Sequence, residues 1–284
     1  MKPAMLAVIA ASFWLQEQSN PTPKPGQGAK EDRLEQFKQE AADYEIRLGA
    51  DSQQRLTLRT DPILHWGNPV RNEDAGAAFL WLDKGRPAVV GTVFTYRYVD
   101  DSIRMCHELH SVASTAITAH YQGHRVWYPT KAGVEFQPVP DAAAPAESAP
   151  IRLSQMRTLA REFTANSKDY KDRTWELRLL PQPLYRYETT SDDLLDGALF
   201  AFCVGTDPEV LLVLEARRNE GNPQWHFAIA RFSDAQLWVR HKNHEVWKAA
   251  ASSAIQGNIL ADPRSQQEPY ICFHPKLIKG NSDK

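Results

Sequence analysis

Apolar and polar positions follow two rhythms along this chain. Over 31–48, EDRLEQFKQEAADYEIRL, the residues Leu34, Phe37, Ala41 and Tyr44 recur three or four apart with charges between them, the period of a helix with one buried face. The segment RLSQMRTLAREF, starting at Arg152, puts Leu153, Met156, Ala160 and Phe163 at similar intervals. After each helix come short runs rich in Val, Ile, Leu and aromatic residues, divided by Gly, Pro and Asp, which is the pattern of strands and turns. They fall at 54–60, 76–83, 87–98, 105–113 and 115–128, and again at 174–180, 197–204, 209–217, 224–232 and 235–248. The links between runs are short and suit antiparallel hairpins, because parallel neighbours need crossovers of a dozen or more residues.

The two series echo one another. LTLRTDPILHW at Leu56 is matched by LRLLPQPLYRY at Leu177, and GAAFLWLDKGRPAVV at Gly76 by GALFAFCVGTDPEVL at Gly197, at one constant offset of 121 residues. Pro62/Pro183, Phe79/Phe200, Pro87/Pro208 and Val89/Val210 keep that offset, and Trp127/Trp247 match at 120. Repetition at a fixed spacing implies one fold unit present twice. Phe79 and Trp81 are two apart, as are Phe200 and Phe202, so each pair is expected on one face of a strand. Gly123 is replaced by Asn243 in the matching hairpin; these two residue types best tolerate positive φ, which predicts a left-handed turn position.

The expected organisation is a signal peptide over 1–20, a Pro/Gly-rich tether over 21–29, repeat 1 over 30–136, a Pro/Ala-rich linker over 137–150, repeat 2 over 151–257 and a C-terminal extension over 258–284. YICF in that extension is a candidate edge strand. The expected fold class is α+β, two tandem repeats in which an N-terminal helix packs on an antiparallel β-meander. That order of elements is similar to cystatin-like and NTF2-like domains, a likeness of architecture with no shared motif, and no specific family is identified.

Composition narrows the function classes. A hydrophobic fraction of 42% with 24% charged residues is that of a soluble globular protein, and a net charge of −2 gives no basic surplus for nucleic acid. Met1 and Lys2 lead into the apolar MLAVIAASFWL, which matches a signal-peptide core and is too short to span a bilayer. Export, to the periplasm or outside the cell, is therefore expected, and no later run is apolar for long enough to cross a membrane. Export would put Cys106, Cys203 and Cys272 in an oxidising compartment, where an odd number leaves one thiol over. They read as small buried apolar residues, with a Cys106–Cys203 bridge between the copies as the alternative.

The densest candidate chemistry is CHELH, with Cys106, His107, Glu108 and His110, followed by His120 and His124. His107 and His110 are three apart, so on a strand they point to opposite faces and cannot share a metal. His124 and His244 are the histidines retained in both copies, each three residues before a matched Trp, and read as hairpin residues. Seven of the eight Trp fall in or beside strand regions and read as core, with exposed rings for ligand stacking as the alternative. No nucleophile elbow, phosphate loop or metal spacing occurs, so neither cofactor nor metal is expected and no catalytic residue is singled out. The leading expectation is an exported, non-catalytic protein that binds an unknown protein or small molecule in a groove between helix and sheet or between the copies. The alternative is a hydrolase using His107, Glu108 and His110 with His120. Convergence of these side chains on a cleft would favour the enzyme; divergence to both faces of a sheet would favour binding.

Overall fold

The computed structural model describes residues 27–49, 53–68, 73–98, 102–188, 193–219 and 222–276. The expected signal peptide and most of the tether lie outside them. Helix α1 (Gln27–Ala42) brings Phe37 and Ala41 into the core and ends before Asp43. Tyr44, expected to extend the helical face, instead opens β1 (Tyr44–Leu48). YEIRL alternates apolar and charged residues with period two, and that local pattern outweighs the helical spacing carried over from upstream.

Strands β2 (Thr57–Asn68), β3 (Glu73–Asp83), β4 (Arg86–Arg97), β5 (Ile103–Ser111), β6 (Ile117–Tyr121) and β7 (His124–Trp127) follow, then a short β8 (Gln137–Pro138) within the expected linker. Helix α2 (Ala149–Ala160) starts the second half. It leads to β9 (Phe163–Lys168), β10 (Thr174–Leu179), β11 (Tyr185–Tyr187), β12 (Leu194–Val204), β13 (Asp207–Asn219), β14 (Asn222–Arg231), β15 (Gln236–His241) and β16 (His244–Ala249). A 3-10 turn at Ile259–Ala261, the single-turn α3 (Arg264–Gln267) and β17 (Tyr270–Phe273) close the described chain.

This architecture overturns the expected α+β pair of helix-on-meander repeats. Strands make up about 55% of the structure and helices 14%, in large antiparallel sheets with a half-barrel. One sheet has the order β1-β6-β7, another β17-β5-β4-β3-β2, and a nine-stranded sheet runs β16-β15-β9-β10-β12-β13-β14-β8 with β11 beside β12. The reason lies in the long strands, which are apolar on both faces. Phe79, Trp81 and Val89 enter a core with Phe37 and Ala41 of α1, while Ala78, Leu80 and Val90 enter another shared with Leu199, Ala201, Leu211 and Val213. The alternate residues Phe200, Phe202, Val210 and Leu212 join Met156 and Leu159 of α2. A sheet with two apolar faces needs cover on both. One helix per half covers one face, and the opposing sheet covers the other.

The halves also differ in construction. The first divides its strands between two sheets, whereas β9, β10 and β12 continue as one in the second. The C-terminal extension serves the first half: β17 pairs with β5 as an edge strand, and Trp127 Nε1 donates to the Glu268 carbonyl at 2.9 Å. Trp127 is fully enclosed and Trp247 is half-buried, so the matched tryptophans sit in unlike surroundings.

Local expectations fare better than the architecture. Phe79 and Trp81 share one core, as Phe200 and Phe202 share another. Gly123 has φ 83° and Asn243 φ 71°, preceded by Gln122 at 48° and Lys242 at 46°. Both hairpins thus turn on two residues of positive φ, the geometry that suits the twist of the flanking strands.

Gly76 and Gly197 mark a tight approach in each half. A Cβ on Gly76 would lie 2.5 Å from the Trp66 ring, and one on Gly197 2.4 Å from the Tyr187 ring. Gly76→Ala and Gly197→Ala are each expected to cost about 1–3 kcal/mol through overpacking. Urea midpoints at unchanged m-value measure this; a variant as stable as the parent would mean that the ring moves aside freely.

Candidate functional site

The CHELH segment forms β5, so its side chains alternate between the sheet's faces. His107 points with Leu109 into the core beside α1, where it is fully buried. Its Nδ1 is hydrogen-bonded to the Tyr44 hydroxyl at 2.7 Å, and its Nε2 lies 3.4 Å from Oε2 of Glu40, which also accepts from Tyr121. Burial lowers the pKa of His107 although Glu40 opposes the shift, and burial pushes the Tyr44 phenol well above its ordinary value.

Glu108 and His110 point the other way. The Glu108 carboxyl is enclosed by the Tyr270 hydroxyl at 2.5 Å and the Thr92 hydroxyl at 3.2 Å. Burial raises its pKa to about 8, so it holds a proton at neutral pH. His110 Nε2 meets the Gly133 carbonyl at 3.3 Å, and burial lowers its pKa to about 4. His120 lies on β6, paired with Glu45, and faces outward. His124 and His244 are exposed beside their hairpin turns.

The four CHELH-region groups are therefore not brought together. His107 is on one face of β5, Glu108 and His110 are on the other, and His120 belongs to a different sheet. No cluster of three or more His, Cys, Asp or Glu suited to a metal ion occurs among the described residues. Cys203 lies in the core between the sheets and Cys106 beside Cys272, so the alternative Cys106–Cys203 bridge is set aside. A shared apolar core lies between the halves, and Phe37 and Ala41 of α1 pack into the core beneath the helix.

An opening lies at the end of α1, on the outward face of the β1-β6-β7 sheet. A groove of about 610 Å³ is lined by Asp43, Tyr44, Glu45, Arg47, Arg55, Leu56, His120 and Gly123, among others. Glu45 accepts from Arg47 Nε at 2.7 Å and meets Arg55 Nη2 at 2.5 Å; the Arg47 bond, then the positive charge of both arginines, lowers its pKa. A second opening of about 310 Å³ uses Thr118, Arg125, Tyr128 and Gln266, with the Arg125 guanidinium 4.1 Å from the centre of the Tyr128 ring. Thr118 pairs with Arg47 across the strands, so the two openings adjoin on one charged face.

The pattern-based reading missed Glu45, Arg47 and Arg55. The polar phase of YEIRL is the available trace for Glu45 and Arg47, masked by the helical spacing of 31–48; Arg55 falls in the strand run 54–60, where nothing marks it. Comparisons with protein-family models, curated proteins and solved structures return no match.

Proposed function

We propose that this is an exported, non-catalytic binding protein whose site is the charged groove on the outward face of β1 and β6. The observation that carries this reading is the divergence of the CHELH side chains. A general acid, base or nucleophile must reach its substrate, but His107, Glu108 and His110 are each enclosed by packing on opposite faces of a strand. A raised carboxyl pKa is a frequent mark of an active site; for Glu108 burial beneath Tyr270 accounts for it. The groove instead offers Arg47, Arg55 and His120 beside the counter-charge of Glu45, which suits a charged protein segment or small molecule.

Two measurements test the reading. Activated esters, phosphoesters and peptide amides should be turned over no faster by the wild type than by the triple variant His107→Ala/Glu108→Gln/His110→Ala. Turnover lost in that variant overturns the proposal in favour of a hydrolase. In thermal-shift screens of charged peptides and small molecules, ligands that stabilise the wild type should lose their effect in Arg47→Glu/Arg55→Glu. Stabilisation that persists in the double variant places binding outside the groove.

A further inference from the structure

The C-terminal strand brings together two cysteines that are distant in sequence. Cys106 on β5 and Cys272 on β17 have their sulfurs 3.0 Å apart, at a sequence separation of 166. The strands are antiparallel neighbours, with Cys272 opposite Glu108 and Phe273 opposite His107, so the cysteines lie on one diagonal of the ladder. Both are buried in a small cluster with Tyr270, packed against Phe94 and Tyr96. The third cysteine belongs to the separate core between the sheets. Disulfide sulfurs are bonded at about 2.05 Å, so closing this pair needs the two sulfurs to approach by roughly 1 Å.

We propose that Cys106 and Cys272 are a disulfide site that fastens the C-terminal strand to the first half of the protein, leaving Cys203 as the unpaired thiol. The oxidant is a small-molecule disulfide such as oxidised glutathione. One cysteine loses its proton, and its thiolate attacks a sulfur of the oxidant, forming a mixed disulfide and expelling one glutathione thiolate. The second cysteine, also deprotonated, attacks the protein sulfur of that mixed disulfide and expels the other thiolate. The protein gives up two protons and two electrons; the oxidant's S–S bond is reduced, and its two sulfurs take up the protons as thiols.

Burial dictates when this happens. Cys106 is 1% exposed and Cys272 6%, and the hydrogen bond with the Cys106 sulfur, then burial, holds the Cys272 thiol well above its usual pKa. A docked β17 thus keeps both thiols unreactive. Exchange proceeds before β17 docks during folding, or during openings in which this edge strand lifts from β5. Once formed, the bond closes a long loop and restricts the unfolded chain, which raises stability. It also holds Tyr270, and with it the cover over Glu108, in place.

The test uses the full chain purified reduced, then equilibrated with a glutathione redox buffer, with and without mild urea to loosen the edge strand. After alkylation in strong denaturant, the expected protein carries one alkyl group instead of three. Peptide mapping should show the Cys106 and Cys272 peptides joined, and the joined species should persist in Cys203→Ser. The oxidised form should melt roughly 5–15 °C above the reduced one. Three alkylated cysteines after equilibration in urea, or a bridge that includes Cys203, overturns the proposal. Because mapping is done on the wild type, it does not depend on whether Cys106→Ser or Cys272→Ser folds. Neither the bond nor its test depends on what the groove binds.

Discussion

Glu215→Ala is expected to lower the stability of the fold by about 3–5 kcal/mol, the cost of leaving a buried cation without its carboxylate. Glu215 is fully buried on β13. Its Oε1 accepts from Arg86 Nε at 2.8 Å and the Tyr187 hydroxyl at 2.7 Å, while its Oε2 accepts from Arg86 Nη2 at 3.0 Å and Arg217 Nε at 2.6 Å. Arg86 comes from the β3–β4 hairpin, so this carboxylate ties the first half to the second. Removing it leaves the guanidinium and the Tyr187 hydroxyl without their acceptor at the edge of the shared core. The Arg86 side chain is 28% exposed and recovers some hydration, which favours the lower end of the range. Glu215→Gln keeps one acceptor oxygen and should cost about half as much. Denaturant unfolding at constant m-value measures both changes. A loss below about 1 kcal/mol for the alanine variant would mean that water already reaches the cluster and the pairs behave like surface ones.

Stability should fall as pH rises from 6.5 to 8, by about 1 kcal/mol net, and the cause should be Glu108. The unfolded carboxyl ionises near 4.5, whereas the folded one holds its proton to about 8 because it is buried, with Asp234 and Glu209 nearby adding to the shift. Between those values the folded state binds more protons than the unfolded state, so raising the pH favours unfolding. His110 works in the opposite sense: folded it is neutral above about 4, unfolded it is protonated up to 6.5, and stability rises with pH across that interval. His107 adds to the same rise through its lowered pKa. Below 6.5 the histidines, with His226 also lowered by burial, outweigh Glu108; above it their effect fades as unfolded histidine loses its proton, and Glu108 dominates. Glu108→Gln supplies an uncharged amide that still accepts from Tyr270. That variant should lose the decline above 6.5 and be more stable than the wild type at pH 8. A wild-type profile flat from 6.5 to 8, or a decline that survives the substitution, would show that Glu108 is ionised in the fold.

Neither site was legible as such from the chain. The CHELH cluster drew attention through composition, and the alternation of a strand correctly implied that its histidines diverge. That His107 meets Glu40 and Tyr44, and that Glu108 meets Tyr270, depends on the docking of α1, β1 and β17. One boundary hides the groove: the helical spacing runs on through Tyr44 in the sequence, and masks β1 and with it the outward-facing Glu45 and Arg47. The cysteines show the same limit. Sequence alone allows a Cys106–Cys203 link between the copies, while the neighbour of Cys106 is Cys272 on a strand that pairs across the molecule.

What the sequence by itself determined is local: the helices α1 and α2, most of the strands, the positive-φ turns at Gly123 and Asn243, and the shared faces of Phe79 with Trp81 and Phe200 with Phe202. These follow from side-chain period and backbone sterics over a few residues, which act whatever the rest of the chain does. Only the tertiary structure decided that the long strands bury both faces, that two sheets cover each other in place of a second helical layer, and that Arg86 meets Glu215 across 129 residues. An apolar run states that a face must be buried but not against what, and the partner is chosen by the packing of the whole chain.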